Sequence, residues 1–379
     1  MQDQDWRPAT MAEVALDAGV SIPTVSRVIN ASGPVAKQTR EAVLGSIERL
    51  GYHPNRLARG LSRGRSDTVL VILPHITEPS VTARLSGLIG VLNNTQYELH
   101  IVDVEHPISE RLRSLGEIIR QNRPAGAIII SLRPDETDLR SFRESGIPVV
   151  FVDVPSEDFL SDTVDDVAGG ELATTHLIEL GHTAIGFVGD DEDTAIGAPA
   201  SADRRYGYQN ALTSVGLEIR PELIATALHG TDPARVASEE MLTLNRRPTA
   251  IFAASDVQAF GVLAAARNLG IAVPGELSVI GFDDISLAEF IGLTTVRQPL
   301  KLSGERAGLR LMAALGHGTH DTIPASPGLD VVVRHTTAAP GSHPTRSLPF
   351  PEEGNGMVTK VSDVPDRASR PVRPIPRRK

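Results

Sequence analysis

The chain predicts a small all-helical head, a basic connector, a larger α/β body and a tail without regular structure. Three observations carry this. Residues 10–30 spell two short helices around a tight turn, residues 68–282 alternate apolar runs with helical patterns, and charge is divided unevenly along the chain. Residues 1–66 hold nine Lys/Arg against six Asp/Glu and residues 339–379 hold eight against four, yet the 379-residue chain has net charge −10. A basic head on an acidic body is expected where only the head must meet phosphate.

In the head, Thr10 and Ser21 stand where two helices need an N-cap oxygen for their unpaired N–H groups. Ala15 is small where the helices cross, Gly19 sits at the turn, and Val25 and Val28 fall where the second helix packs on the first. From Lys37 to Leu50, the apolar positions Ala42, Val43, Ile47 and Leu50 make a helical stripe that closes a three-helix unit, and Gly51 ends it. This spacing fits a helix-turn-helix, which lays its second helix in the major groove of duplex DNA. A plain αα-hairpin is the alternative.

The connector runs from Pro54 to Ser66, basic and punctuated by Gly60 and Gly64, before the abrupt β-type run Thr68–Leu73. A domain boundary near residue 66 follows. Strands are expected at 68–73, 98–103, 126–131, 147–152, 184–189, 249–254 and 277–282. Helices are expected near 83–94, 109–121, 136–144, 167–180, 203–215, 232–244 and 257–269. Continuously apolar strands such as Ala127-Ile128-Ile129-Ile130 suit parallel sheets covered on both faces. The alternation means βαβ units, and its length suits two lobes. Residues 339–379 crowd eight prolines with Gly, Ser and Arg, the composition of a disordered basic tail.

Composition excludes several classes. With no cysteine there are neither disulfides nor thiolate metal sites, which suits a reducing interior. No apolar run approaches the roughly 20 residues of a membrane span, and the first residues lack a basic-then-apolar leader, so a cytoplasmic protein is expected. No phosphate loop, zinc-spaced histidine pair or Gly-x-Ser-x-Gly elbow occurs. The acidic turn from Gly189 to Thr194 lacks the spaced carboxylates of a calcium loop. Neither a cofactor nor an enzymatic reaction is expected.

Taken in order, residues 9–338 resemble the lactose/galactose repressor (LacI/GalR) family of transcription regulators. The head carries Val14-Ala15, Ala18-Gly19-Val20-Ser21, Thr24-Val25-Ser26-Arg27-Val28-Ile29-Asn30, Leu50-Gly51-Tyr52-His53-Pro54-Asn55 and Ala58-Arg59-Gly60-Leu61. The body carries Leu180-Gly181-His182, Arg204-Arg205-Tyr206-Gly207-Tyr208, Ala254-Ser255-Asp256, Val279-Ile280-Gly281-Phe282-Asp283-Asp284 and Thr295-Val296-Arg297-Gln298-Pro299. The resemblance implies a helix-turn-helix DNA-binding head at 1–52, a hinge helix or linker at 53–66, and a two-lobed effector-binding and dimerisation domain at 67–338, like a periplasmic sugar-binding protein. The tail takes 339–379. It also implies that the chain crosses between lobes three times.

What the resemblance implies for DNA is a homodimer on a pseudo-palindromic operator. Ile22, Pro23 and Arg27 face base edges, and Arg27 can fork to a guanine for roughly 1–3 kcal/mol of discrimination. Ile22 and Pro23 offer only apolar contact; packing inside the head is the alternative for Ile22. Ser21, Thr24, Ser26 and Asn30 suit phosphate contacts, although Thr24 and Ser26 equally suit a plain helix surface. In the connector, Asn55, Arg56, Arg59 and Leu61 are the DNA candidates, with Leu61 as a minor-groove wedge or a packing residue. Gly60 and Gly64 each cost about 1 kcal/mol in a helix, so this segment gains order only on DNA.

For the effector, a sugar or sugar derivative between the lobes is implied, with Asp153, Arg204 and Asp283 as contacts and Ser255 and Asp256 as weaker candidates. Each aspartate is alternatively a cap or a lobe-closing contact, and Arg204 a structural ion-pair partner. The loops Pro74–Val81 and Leu228–Pro233 lack the aromatic platform that flat sugar faces want, which points to a small, strongly polar or charged effector. His75 and Thr77 lie in the first of these loops. A stand-alone binding protein is the other function class this body fits.

Overall fold

The computed structural model describes residues 9–30, 32–52, 66–93, 95–104, 114–191, 198–318 and 323–341. The connector residues 53–65 and the tail beyond 341 lie outside them.

The head has three helices, α1 (Met11–Asp17), α2 (Ile22–Asn30) and α3 (Lys37–Leu50). A capping box starts α1: Thr10 Oγ1 accepts from the Glu13 N–H at 3.3 Å, and Glu13 Oε2 accepts from the Thr10 N–H at 2.8 Å. Gly19 turns the chain at φ +65°. Val14, Ala15, Val25, Val28, Val43 and Tyr52 form the core. The α3 stripe differs from the periodic expectation: Ala42 and Leu50 are exposed, and Ser46 is buried beside Val43. Tyr52, beyond the αL cap at Gly51, supplies the missing bulk.

The first lobe holds a parallel sheet in the order β2-β1-β3-β4-β5. Its strands are β1 (Thr68–Leu73), β2 (Glu98–Asp103), β3 (Gly126–Ile130), β4 (Val149–Val152) and β5 (Leu160–Asp162). The second lobe has the order β11-β10-β9-β8-β6-β7. It comprises β6 (Ile185–Asp190), β7 (Ile224–Ala227), β8 (Ala250–Ala253), β9 (Ser278–Asp283), β10 (Thr294–Arg297) and β11 (Asp330–Val332), all parallel except β11 against β10. Helices cover both sheets: α4 (Pro79–Leu92), α5 (Leu115–Asn122) and α6 (Glu136–Ser145) in the first lobe. The second lobe has α7 (Asp166–Glu179), α8 (Ala198–Ser214), α9 (Thr231–Leu242), α10 (Asp256–Asn268) and α11 (Ser286–Ile291).

Helix α12 (Leu300–Ala314) follows a second-lobe strand yet belongs to the first lobe. Its Ala307, Leu311 and Met312 are buried with Val69, Val71 and Leu73 of β1. The chain thus passes between lobes after β5, after β10 and again after α12.

Strands β1 and β2 match the sequence expectation, and most others shift by a residue or two. Strand β4 starts at Val149 because Pro148 has no N–H to give the ladder, though its carbonyl accepts from Ala127. Helix α4 begins earlier than expected, with Pro79 in its first turn.

Candidate functional site

On the head, α2 turns Val25 and Val28 inward, while Ser21, Ile22, Pro23 and Arg27 are exposed and Thr24 and Ser26 are half-buried. Ile22 is 48% exposed, so it does not pack inside the head. The Ser21 carbonyl accepts from the N–H groups of Thr24 and Val25, and its hydroxyl lies 3.0 Å from that of Thr24. Asn30 ends the helix. Asn55, Arg56, Arg59 and Leu61 lie outside the described residues.

In the body, the carboxyl ends of strands from both sheets meet at one cavity, where open α/β sheets present loops to ligands. Its walls include His75 after β1, Ser131 after β3, Asp153 after β4, Asp190 at the end of β6, His229 after β7, Ser255 after β8 and Asp283 at the end of β9. It encloses about 80 Å³, below the roughly 300 Å³ of small-molecule pockets, so a sugar-sized molecule enters only as the lobes part or side chains shift.

Four of these residues have left-handed backbone without being glycine: His75 (φ +50°), Ser131 (φ +53°), Asp153 (φ +65°) and Asp283 (φ +121°). Each such conformation costs on the order of 1–3 kcal/mol and persists only where its surroundings hold it. Hydrogen bonds do so for both aspartates. Ser131 Oγ donates to Asp153 Oδ2 at 2.6 Å, and Arg84 Nη2 donates to Asp153 Oδ1 at 2.8 Å. Arg84 Nη2 also donates to Gln298 Oε1 at 3.2 Å, while Gln298 Nε2 donates to Asp283 Oδ1. The aspartates of the two lobes are therefore joined through Arg84 and the crossover residue Gln298.

Arg204 projects from α8. Its Nε donates to Asp166 Oδ1 at 2.8 Å, its Nη1 to the Ala254 carbonyl at 2.6 Å, and Asp283 Oδ1 lies 3.9 Å away. Its guanidinium sits 3.7 Å over the Phe282 ring. Burial works against its charge, but Asp166 and Asp283 outweigh burial and raise its pKa. Burial pushes Asp166 up to about 6 despite Arg204, and it raises Asp283 against the pull of Arg204 and Arg84.

A second group crosses the cleft. His229 Nδ1 donates to Asp190 Oδ1 at 3.0 Å, and Gln258 Nε2 donates to the same oxygen at 2.7 Å. His229 Nε2 stands 3.5 Å from Glu78 Oε2 of the first lobe. Burial alone would lower the imidazole pKa, but hydrogen bonding and charge from Asp190 and Glu78 raise it to about 10.

Asp153, Arg204, Ser255 and Asp283 are thus brought together, with Ser255 also capping α10 through the Gln258 N–H at 3.2 Å. Asp256 is not in the wall. It is fully buried, accepting from the Ile285 N–H at 2.9 Å and from Thr295 Oγ1 at 2.5 Å. Its two oxygens are taken by the start of α11 and by β10, which sets Asp256 apart from the residues that line the cavity. His75 lines the cavity and Thr77 does not. Glu78, Arg84, Asp190, His229 and Gln298 went unpredicted. Arg84 alone left a signal, a charge in phase with the buried stripe Val81, Leu85 and Leu88.

Residues 10–55 match the model for bacterial regulatory proteins of the lacI family, and residues 174–337 match a periplasmic binding protein-like domain. The HTH-type transcriptional regulator CelR of Thermobifida fusca is 33% identical over 84% of this chain and 95% of its own. The chain belongs to the LacI family. GalR of Escherichia coli K12, another transcriptional regulator, is 31% identical over 88% of this chain and 96% of its own. Among solved structures, the lac repressor dimer bound to operator and an anti-inducer superposes with TM-score 0.74 at 26% identity, covering 88% of this chain and all of that one. A CelR–cellobiose complex gives 0.61 at 30% identity, covering 87% and 100%. The LacI-family head and two-lobed body expected from sequence stand. Among the described residues no helix is long and apolar enough to cross a membrane.

Proposed function

We propose that this LacI-family member is a cytoplasmic, homodimeric repressor, not an enzyme, whose operator affinity is set by a small molecule bound between the lobes. Residues 1–52 read DNA, 53–66 form the hinge, 67–338 bind effector and dimerise, and 339–379 form a basic tail. Ser21, Ile22, Pro23, Thr24, Ser26, Arg27 and Asn30 on the head, with Asn55, Arg56, Arg59 and Leu61 in the hinge, contact a pseudo-palindrome. Asp153, Arg204, Ser255 and Asp283 contact the effector.

The observation that carries this is the joining of the two lobes' aspartates through Arg84 and Gln298. A ligand that takes over Asp153 and Asp283 must rearrange that link, and with it the relation between the lobes. The spacing of two hinges in a dimer then changes, so that they no longer fold together in the minor groove. A coupling of about 1–3 kcal/mol is enough. The relatives support the reading, since one structure holds operator and another cellobiose. The test is a gel shift with palindromic operators, titrated with sugars, sugar acids and sugar phosphates. Operator preference that shifts with one ligand is the expected result; no preference for any palindrome over random DNA would overturn the assignment.

A further inference from the structure

Counting donors in the cleft leaves cationic N–H groups to spare. Arg84 is only 4% exposed, and its Nε is buried without a hydrogen-bond partner even though Nη2 is doubly engaged. A buried donor left unmade is costly, and more so on a charged group. His229 directs Nε2 toward Glu78 at 3.5 Å, longer than a good hydrogen bond. Helix α4 also begins here: Glu78 stands at its N-cap with no side-chain capping bond, and Pro79 brings no N–H. Ser80 and Val81 of that first turn line the same cavity as Arg84 and His229. A helix start favours an anion through its free N–H groups and its dipole. Acceptors are available too, because the described bonds of Asp190 and Asp283 side chains all end on Oδ1. Among the described residues, no Phe, Tyr or Trp lines the cavity.

We infer that the effector is a sugar acid, its carboxylate seated among Arg84, His229 and the start of α4 while its hydroxyls donate to Asp190 and Asp283. This rests on the effector-regulated reading above and specifies its ligand. The repulsion of such a ligand by Asp153 and Asp190 is offset in part by their pairing with Arg84 and His229. Glu78 is the chain's own carboxylate at this position, with its side chain 22% exposed. An incoming carboxylate displaces it toward solvent, and the charge of the cleft is unchanged. A neutral sugar leaves the Arg84 Nε unserved by any anion.

The test is calorimetric titration of the full chain with D-gluconate, D-glucuronate, D-galacturonate and D-ribonate, each against its neutral parent sugar, with glucose 6-phosphate alongside. At least one carboxylate should bind about tenfold more tightly than its parent, the effect of one charge-assisted contact. Glu78→Gln removes the internal competitor and should tighten that binding severalfold, a gain that misfolding cannot mimic. Arg84→Gln should weaken it about tenfold or more, and weaken the neutral sugar by less, so that the preference for the acid over its parent is lost. Parent sugars binding as well as the acids, no acid binding, preference for the phosphate ester, or unchanged affinity in Glu78→Gln would each overturn the inference. A neutral sugar that releases operator would sink the sugar-acid assignment and leave effector control standing. Failure to select any palindrome would instead sink the proposed function.

Discussion

Gly304 lies so close to the backbone of Arg84 that a methyl group in its place would sit 1.8 Å from the Arg84 carbonyl oxygen. Gly87 meets the Lys301 carbonyl in the same way, at 1.9 Å. The two helices therefore touch backbone to backbone, and the crossover helix α12 sets where α4 can lie. Arg84, on α4, reaches the cleft only from that position.

Gly304→Ala should accordingly separate the helices, since no rotamer relieves a clash with backbone. A loss of about 1–3 kcal/mol is expected in chemical denaturation, together with weaker effector binding. An unchanged midpoint with normal ligand affinity would contradict the packing argument.

Arg204→Met leaves Asp166 buried without its partner, which costs on the order of 3–5 kcal/mol. The Asp166 carboxyl already sits near pKa 6, so mild acid neutralises it easily. The loss should thus be smaller in mild acid than at alkaline pH. Adding Asp166→Asn should recover part of it. Denaturation midpoints of the three proteins across pH check this.

For His229 the folded pKa, about 10, lies above its usual 6.5. A raised pKa means stability fully present below pH 6.5 and lost as pH climbs through about 10. His229→Gln should flatten the stability profile across that window. A parallel profile in the variant would show that the Asp190 and Glu78 contacts contribute nothing.

On the head, Arg27→Ala should cost about 1–3 kcal/mol of operator discrimination while effector binding to the body is unchanged. Competition gel shifts with operator and random duplex measure the difference directly. Equal discrimination would remove Arg27 from base recognition.

Much of this molecule was legible in its residues. The buried valines of the head follow from spacing, and β1, β3 and β4 from unbroken apolar runs, because local periodicity and burial coincide there. Strands β5, β7, β10 and β11 were not foreseen: they are short, half-polar or near the lobe crossings, and take shape from their neighbours. Helix α12 escaped because its small residues Gly304, Ala307 and Gly308 make sense only against α4.

Asp153, Asp283 and Arg204 could be named from the family resemblance, with the two aspartates closing apolar runs at a sheet's rim. Which of their atoms are taken could not. Asp256 and Ser255 look alike as neighbours in the chain, yet one is sealed between β10 and α11 and the other opens to the cleft. Glu78 and His229 lie about 150 residues apart, and only lobe closure makes them partners. Chain order records which groups exist and how each segment folds locally; distances between charges on different lobes are set by packing, and the cleft's chemistry depends on those distances.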